Sequence, residues 1–195
     1  MHAIDLKGFG ENKGMQYPYS LDDYCAEVKE YIDKNGLSPV SVIAHSFGGR
    51  IAIRLASKNP QTFDKIVLTG SAGLKPKRSF AYRLKRLKFF FAKRVLPPEK
   101  LIKYYSSDYR ALDGVMRESF KKIVGEYLDG EINKIKNPTL IIFGEKDSET
   151  PVYMAKRLNR GINDSKMVII KDAGHFAFID NPVKFNWEVK EFLLR

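Results

Sequence analysis

The chain has 195 residues, of which 44% are hydrophobic, so it is long enough for one domain with a buried core and too apolar for wholesale disorder. No apolar run approaches the roughly 18 residues of a membrane-spanning helix, no secretory signal opens the sequence, and the single Cys25 excludes an internal disulfide, so we expect a cytoplasmic protein. The net charge of +11 is concentrated, because eleven of the 34 basic residues lie between residues 75 and 103, beside the single acid Glu99.

Strand-like and helix-like patterns alternate from the beginning of the chain. HAIDL at 2–6 predicts a short strand, and a glycine-rich loop follows it. Ser20 is a suitable N-cap for a helix that ends at Gly36. PVSVIA at 39–44 predicts a buried strand, and residues 47–58 predict a helix that ends before a proline.

The same alternation continues after residue 64. Strands are predicted at 65–70, 139–144 and 166–172, and helices at 151–161 and 181–195. Short apolar strands that alternate with helices indicate an α/β fold with a mostly parallel sheet flanked by helices. Residues 74–137 interrupt this order with an all-helical pattern, which predicts an insertion over the carboxyl ends of the strands, where open α/β folds bind ligands.

The stretch AHSFGG at 44–49 places a serine between a predicted strand and a predicted helix. Ser46 is either a nucleophile or a residue of a tight turn, and a serine nucleophile needs a base within hydrogen-bond reach. His2 begins the first predicted strand, and the His45 side chain should point away from its neighbour. His175, just past the last predicted strand, belongs to the same sheet edge as Ser46 and is the base by elimination.

An acid is expected at that sheet edge as well. Asp147 lies in FGEKDSETP, 143–151, after a predicted strand and before a predicted helix. Glu145, Glu149 and Asp172 are nearby rivals, and the place of Asp147 in the turn favours it. The chain order is then serine, acid, histidine.

Nothing in the sequence indicates a cofactor or a metal site. GFGENKG at 8–14 follows a predicted strand, but its glycines miss the dinucleotide-binding spacing by one residue and no long helix begins at once. Three scattered histidines and one cysteine do not form a metal-ligand pattern. We therefore expect neither.

Taken together, these stretches resemble the α/β-hydrolase fold family. A-H-S-F-G at 44–48 resembles its G-x-S-x-G nucleophile elbow, with Ala44 in place of the first glycine, and the order of serine, acid and histidine is the family's. DLKGFGEN at 5–12 resembles the loop after its fourth strand, and PTLIIFGEKDSETP and DAGHFAFIDNP resemble its acid and histidine segments. The resemblance covers nearly all of residues 2–195.

The resemblance implies a division of the chain and a set of functional residues. It implies a hydrolase core over 1–73 and 138–195, with an all-helical cap over 74–137. The implied catalytic residues are Ser46, Asp147 and His175, with the backbone N–H of Phe47 in the oxyanion hole. The implied reaction is hydrolysis of a small carboxylic ester through an acyl-enzyme, and a carbon–carbon bond hydrolase of the same fold is the alternative.

The resemblance also implies about three strands before the first one here, and a loop after the third that gives the second oxyanion-hole N–H. Neither is visible in this sequence. A truncated gene model, a natural short form and a decayed, inactive relative are three expectations that fit this departure. The sequence predicts neither the identity of the substrate nor the oligomeric state.

The basic segment has its own alternatives. Apolar side chains recur at helical spacing among its lysines and arginines, namely Phe80, Leu84, Leu87, Phe91 and Val95. A cap helix with a solvated basic face, steering of an anionic substrate, and contact of residues 80–96 with an anionic membrane surface all fit this pattern. A non-catalytic membrane-surface module is therefore a competing hypothesis, whereas nucleic-acid binding lacks a supporting motif.

Overall fold

The computed structural model describes residues 1–77, 94, 112 and 114–195, and its centre is a parallel β-sheet. The strands are β1 (Val40–His45), β2 (Phe63–Thr69), β3 (Thr139–Gly144) and β4 (Ser165–Ile170). They lie side by side in the order β1-β2-β3-β4, and every pair is parallel. The predicted mostly parallel α/β sheet is therefore confirmed.

Helices connect the strands and cover both faces of the sheet. They are α1 (Leu21–Lys34), α2 (Phe47–Lys58), α3 (Gly114–Val124), α4 (Val152–Gly161), α5 (Ala177–Asp180) and α6 (Pro182–Leu194), with single 3-10 turns at Pro60–Thr62 and Ile132–Lys134. Ser20 caps α1 in a capping box with Asp23, as its sequence predicts. None of the helices in the described part of the chain is long and apolar enough to cross a membrane.

The two faces of the sheet form two hydrophobic clusters because side chains alternate along each strand. Ile66, Leu68 and Ile141 pack on the side that α1, α2 and α4 cover. Val67 and Leu140 point the opposite way, where Phe185 and Val189 of α6 cover them. All six residues of β3 are buried, because this strand is central in the sheet and has helices on both sides.

The edge strand differs from two of the sequence predictions. Residues 39–44 were predicted as a buried strand, but β1 is only partly buried and Ile43 is 50% exposed. Residues 2–6 were predicted as a strand, and this prediction is wrong: they form no strand and are mostly exposed. A strand requires hydrogen bonds to a neighbour, and within the described residues none lies along the outer edge of β1. His2 instead hydrogen-bonds the Tyr31 hydroxyl on α1 at 2.9 Å.

Two arginines of α2 hold the segment that returns to β3. Arg54 is 8% exposed and forms ion pairs with Asp22, Glu126 and Glu131. One turn earlier, the Arg50 Nη1 donates hydrogen bonds to the backbone carbonyls of Ile123 and Glu126. Asp22 belongs to α1, but the other partners lie at and after the carboxyl end of α3, so the two guanidinium groups fix this segment against the core of the fold.

Most of the predicted cap lies outside the described residues. The described part of 74–137 contains α3 and a 3-10 turn, and it does not test the boundaries of an all-helical insertion. The apolar positions Phe80, Leu84, Leu87, Phe91 and Val95 all lie outside it, as do most residues of the basic segment. The cap and its basic surface therefore stay predictions.

Two isoleucines on different strands test this distribution of burial. Ile141→Ala on β3 should lower the free energy of unfolding by about 2–5 kcal/mol, since it leaves a cavity in the core. Ile43→Ala on β1 removes the same atoms from a half-exposed site and should cost about 1 kcal/mol or less. Urea unfolding followed by circular dichroism measures both, and equal losses would contradict the edge position of β1.

Candidate active site

Ser46 occupies a strained turn between β1 and α2. Its backbone has φ of 48° and ψ of −109°, in a region that residues other than glycine rarely adopt. The turn is held from both sides, because Ser46 N–H donates to the Thr69 carbonyl and the Ala72 N–H donates to the Ser46 carbonyl, each at 3.1 Å. Glycine is required at position 49, in the first turn of α2, because a Cβ there would lie 2.0 Å from the Ser71 Oγ. A conformation that costs energy and is fixed in this way is typical of functional sites.

Asp147 is buried in the turn that follows β3, and its carboxylate accepts four hydrogen bonds. Its Oδ1 accepts from the backbone N–H groups of Glu149 and Thr150, at 2.9 and 2.8 Å. Its Oδ2 accepts from the Thr150 hydroxyl at 2.7 Å and from the His175 Nδ1 at 2.9 Å. Because a carboxylate only accepts, the proton of this last bond is on His175 Nδ1.

These contacts set the ionisation of the acid. Burial alone would raise the pKa of Asp147, but the hydrogen bonds from His175 and Thr150 outweigh it and lower the pKa below its usual value. Asp147 is therefore an anion at neutral pH, and it faces a histidine whose side chain is only 8% exposed.

The rival acids are placed differently. Glu145 accepts from the backbone N–H of Asp172, and Asp172 pairs with Lys146 at the surface. The Glu149 carboxylate lies 3.4 Å from His175 Nε2, on the opposite side of the ring from Asp147, and its side chain is 60% exposed. Of the four candidates, Asp147 is the one whose buried carboxylate contacts His175 Nδ1.

Ser46 and His175 open onto the same cavity, which has a volume of about 620 Å³. No hydrogen bond joins their side chains among the described residues. Most of the cavity wall is apolar, and it includes Phe9, Tyr24, Phe47, Met116, Ile123 and Val124. Phe47 follows Ser46 as the first residue of α2, so its backbone N–H belongs to the first turn, where N–H groups have no partner within the helix.

Three residues at this site were not identified from the sequence as contributing to it. Thr150 donates a hydrogen bond to Asp147 through its hydroxyl. Its position three residues after a carboxylate in a turn is the sequence pattern that indicates such a contact. His45, considered only as a base, hydrogen-bonds the His175 carbonyl through Nε2 at 3.1 Å. Arg50 is buried in the cavity wall, and an arginine in a helical pattern gives no sign of burial.

The hydrogen bonds to Asp147 predict a pH-dependent stability. A lowered pKa stabilises the fold above the unfolded-state value of about 3.9, and this stabilisation is lost as the pH falls through the folded-state pKa. Asp147→Asn should therefore be less stable than the wild type at pH 7, by about 2 kcal/mol. The difference should shrink below about pH 4. Urea unfolding from pH 7 to pH 3 measures it, and a difference that stays constant would contradict this assignment.

Known proteins share both the sequence pattern and the fold. A pimeloyl-acyl-carrier-protein methyl ester esterase of Neisseria meningitidis serogroup C is 26% identical, in an alignment that covers 98% of this chain and 82% of that protein. The 2-hydroxy-6-oxo-6-(2'-aminophenyl)hexa-2,4-dienoic acid hydrolase of Metapseudomonas resinovorans is 26% identical over 99% of this chain and 73% of that protein.

A solved structure gives the same result. The serine hydrolase involved in carbazole degradation, the CarC enzyme, superposes with a TM-score of 0.74 and 26% identity, over 98% of this chain and 78% of that one. The sequence model of the alpha/beta hydrolase family matches residues 1–188. The resemblance noted in the sequence is therefore confirmed, and the chain belongs to the α/β hydrolase family, a family of hydrolytic enzymes.

Proposed function

We propose that this protein is a cytoplasmic serine hydrolase that cleaves a small carboxylic ester with Ser46, His175 and Asp147. One observation carries the proposal: His175, which the buried Asp147 holds by a hydrogen bond, lines the same cavity as the strained Ser46. A serine, a histidine and an acid that orients it are the groups that acyl transfer needs.

In the proposed reaction the Ser46 Oγ attacks the ester carbonyl carbon while His175 Nε2 takes the hydroxyl proton. The His175 Nδ1–H stays bonded to Asp147, which stabilises the imidazolium without taking its proton. The imidazolium then protonates the leaving alcohol, and the acyl group stays on Ser46. Water, deprotonated by the same Nε2, releases the carboxylic acid and restores the serine.

The oxyanion of the tetrahedral intermediate needs N–H donors beside Ser46. The Phe47 backbone N–H is the proposed donor, because it lies at the amino end of α2, where the helix dipole also favours negative charge. The Phe47 ring stacks on Phe9 and packs edge-on against Tyr24, with ring centroids 5.8 and 5.1 Å apart. These contacts hold the residue that carries the donor.

The Glu149 carboxylate next to His175 Nε2 affects how the reaction begins. It lies 3.4 Å from the nitrogen that must accept the Ser46 proton. Because this side chain is more than half exposed, it is free to turn toward solvent when a substrate enters. The proposed order is therefore displacement of Glu149 first and the Ser46–His175 hydrogen bond second, since catalytic contacts often tighten only in the substrate complex.

The cavity supports a small, largely apolar acyl group. Its volume of about 620 Å³ is within the range of small-molecule sites, and aromatic and aliphatic side chains form most of its wall. The similarity to a methyl ester esterase agrees with this class of substrate.

Arg50 favours a second candidate, a carbon–carbon bond hydrolase that acts on a carboxylate-bearing substrate. Arg50 is 8% exposed and lines the cavity, and among the described residues its guanidinium donates hydrogen bonds to two backbone carbonyls but to no carboxylate. A buried guanidinium that forms no ion pair within the described residues is stabilised by an anion in the cavity, because the nearby Glu126 carboxylate is paired with Arg54. The name of the Metapseudomonas relative specifies a dienoic acid as substrate.

A fluorophosphonate probe tests the proposed nucleophile, since it reacts with activated serines. The wild type should be labelled, Ser46→Ala should not be, and the exposed Ser41→Ala should be labelled like the wild type. Mass spectrometry of the intact protein measures the adduct. An unlabelled wild type, or labelling that persists in Ser46→Ala, would contradict the proposal.

Substrates then separate the two candidates. Butyrate esters of p-nitrophenol should be hydrolysed faster than a dienoic acid ring-cleavage product if the first candidate is right. The opposite order would favour the second.

A further inference from the structure

His45, the residue before the proposed nucleophile, lies against the loop that carries His175. Its Nε2 is 3.1 Å from the His175 backbone carbonyl, and the two ring centroids are 4.7 Å apart. The rings of Phe176 and Phe178 contact its ring as well, with centroids 5.1 Å away. His45 belongs to β1 but therefore packs against residues 171–178, called the histidine loop below.

The partner of the hydrogen bond determines the state of the ring. A backbone carbonyl only accepts, so His45 Nε2 must carry the proton. Burial lowers the pKa of His45 below its usual value, which keeps the ring neutral at pH 7. The expected form is a neutral ring with its proton on Nε2. This proton is donated to the backbone carbonyl of His175, and His45 does not line the cavity.

The position of this bond in the fold gives it a function. β1 and β4 are at opposite sides of the described four-stranded sheet, and the histidine loop follows β4. Asp147, from the turn after β3, fixes the His175 ring at Nδ1, but among the described residues it makes no hydrogen bond to the strand that precedes Ser46. The His45–His175 bond is direct, and it joins the residue adjacent to Ser46 to the backbone of the base.

A close approach on the neighbouring strand supports the same arrangement. Gly70 follows β2 with φ of 48°, and a Cβ there would be 3.1 Å from both the Nδ1 and the carbonyl oxygen of His175. The backbone of His175 therefore lies tightly against the strand ends, so a donor that holds its carbonyl limits the movement of the whole loop.

We propose that His45 is a positioning residue, which through its Nε2–H···O bond sets the distance between Ser46 and His175. The catalytic part of this inference rests on the proposed function. Effects of about 100-fold on rate follow from misplacing a catalytic group by about 1 Å, so a single backbone hydrogen bond suffices to matter.

Three variants of His45 separate the hydrogen bond from simple packing. In His45→Gln the amide nitrogen reaches the place of Nε2, in His45→Asn it reaches only the place of Nδ1, and His45→Phe keeps a ring without a donor. For an ester substrate, kcat should fall about 10- to 100-fold in the Phe and Asn variants. The Gln variant should stay within about fivefold of the wild type, with KM within about twofold in all three, because the cavity wall is unchanged.

A second measurement does not depend on activity. Hydrogen exchange of the backbone amides at 173–176 should be at least about tenfold faster in the Phe and Asn variants than in the wild type, and near wild type in Gln. Nitrogen-15 NMR of the histidine rings should show the His45 proton on Nε2. Both readouts apply even to a protein that hydrolyses no ester, so failure of this inference is distinguishable from failure of the proposed function.

Several results would overturn it. A His45 proton on Nδ1, or unchanged amide exchange in the Phe variant, would show that the bond does not hold the loop. If the wild type hydrolyses esters, a Gln variant as slow as the Phe variant would assign the effect to packing.

Discussion

The hydrogen bond between Asp147 and His175 is the interaction on which the site depends. It buries a carboxylate, and a buried carboxylate is tolerated only where donors surround it. Two backbone N–H groups, the Thr150 hydroxyl and the histidine ring supply those donors. The same set keeps the acid ionised and fixes the His175 proton on Nδ1, so that Nε2 is left as the basic nitrogen next to the cavity.

The parallel sheet provides the second constraint. Because all four strands run the same way, the turns after β1 and β3 and the loop after β4 meet at one edge. A strained serine, a buried acid and a histidine therefore meet, although more than a hundred residues separate Ser46 from His175. The arginines of α2 extend this arrangement, because they fix the carboxyl end of α3, whose side chains form part of the cavity wall.

The sequence predicted what local patterns determine. Strands β2, β3 and β4 are short apolar runs in the sequence, and α2 begins directly after Ser46. Ser46, Asp147 and His175 each follow the end of a predicted strand, which predicts their positions at one edge of the sheet. The predictions of a strand at residues 2–6 and of a buried β1 were wrong, because both depended on contacts with residues far away in the sequence. HAIDL has the composition of a strand, but a strand also needs a partner, and the half exposure of β1 has the same cause.

Three side chains with unexpected contacts show the same limit. Alternation along β1 directed His45 away from Ser46, but it gives no information on what packs against that side, which is the histidine loop. Arg50 and Arg54 occupy a helix whose charged residues should be solvated, yet both are buried because residues 123–131 return across them. Neither contact leaves a periodic signal in the sequence.

The central claim is that Ser46 forms a covalent acyl intermediate at the edge where His175 and Asp147 meet. Rapid quenching after mixing with p-nitrophenyl acetate, followed by peptide mass spectrometry, tests it most directly. The account predicts an acetyl group on the peptide that contains Ser46, formed faster than it is lost. Ester hydrolysis without any acetylation of Ser46, or an adduct on another residue in its place, would contradict it.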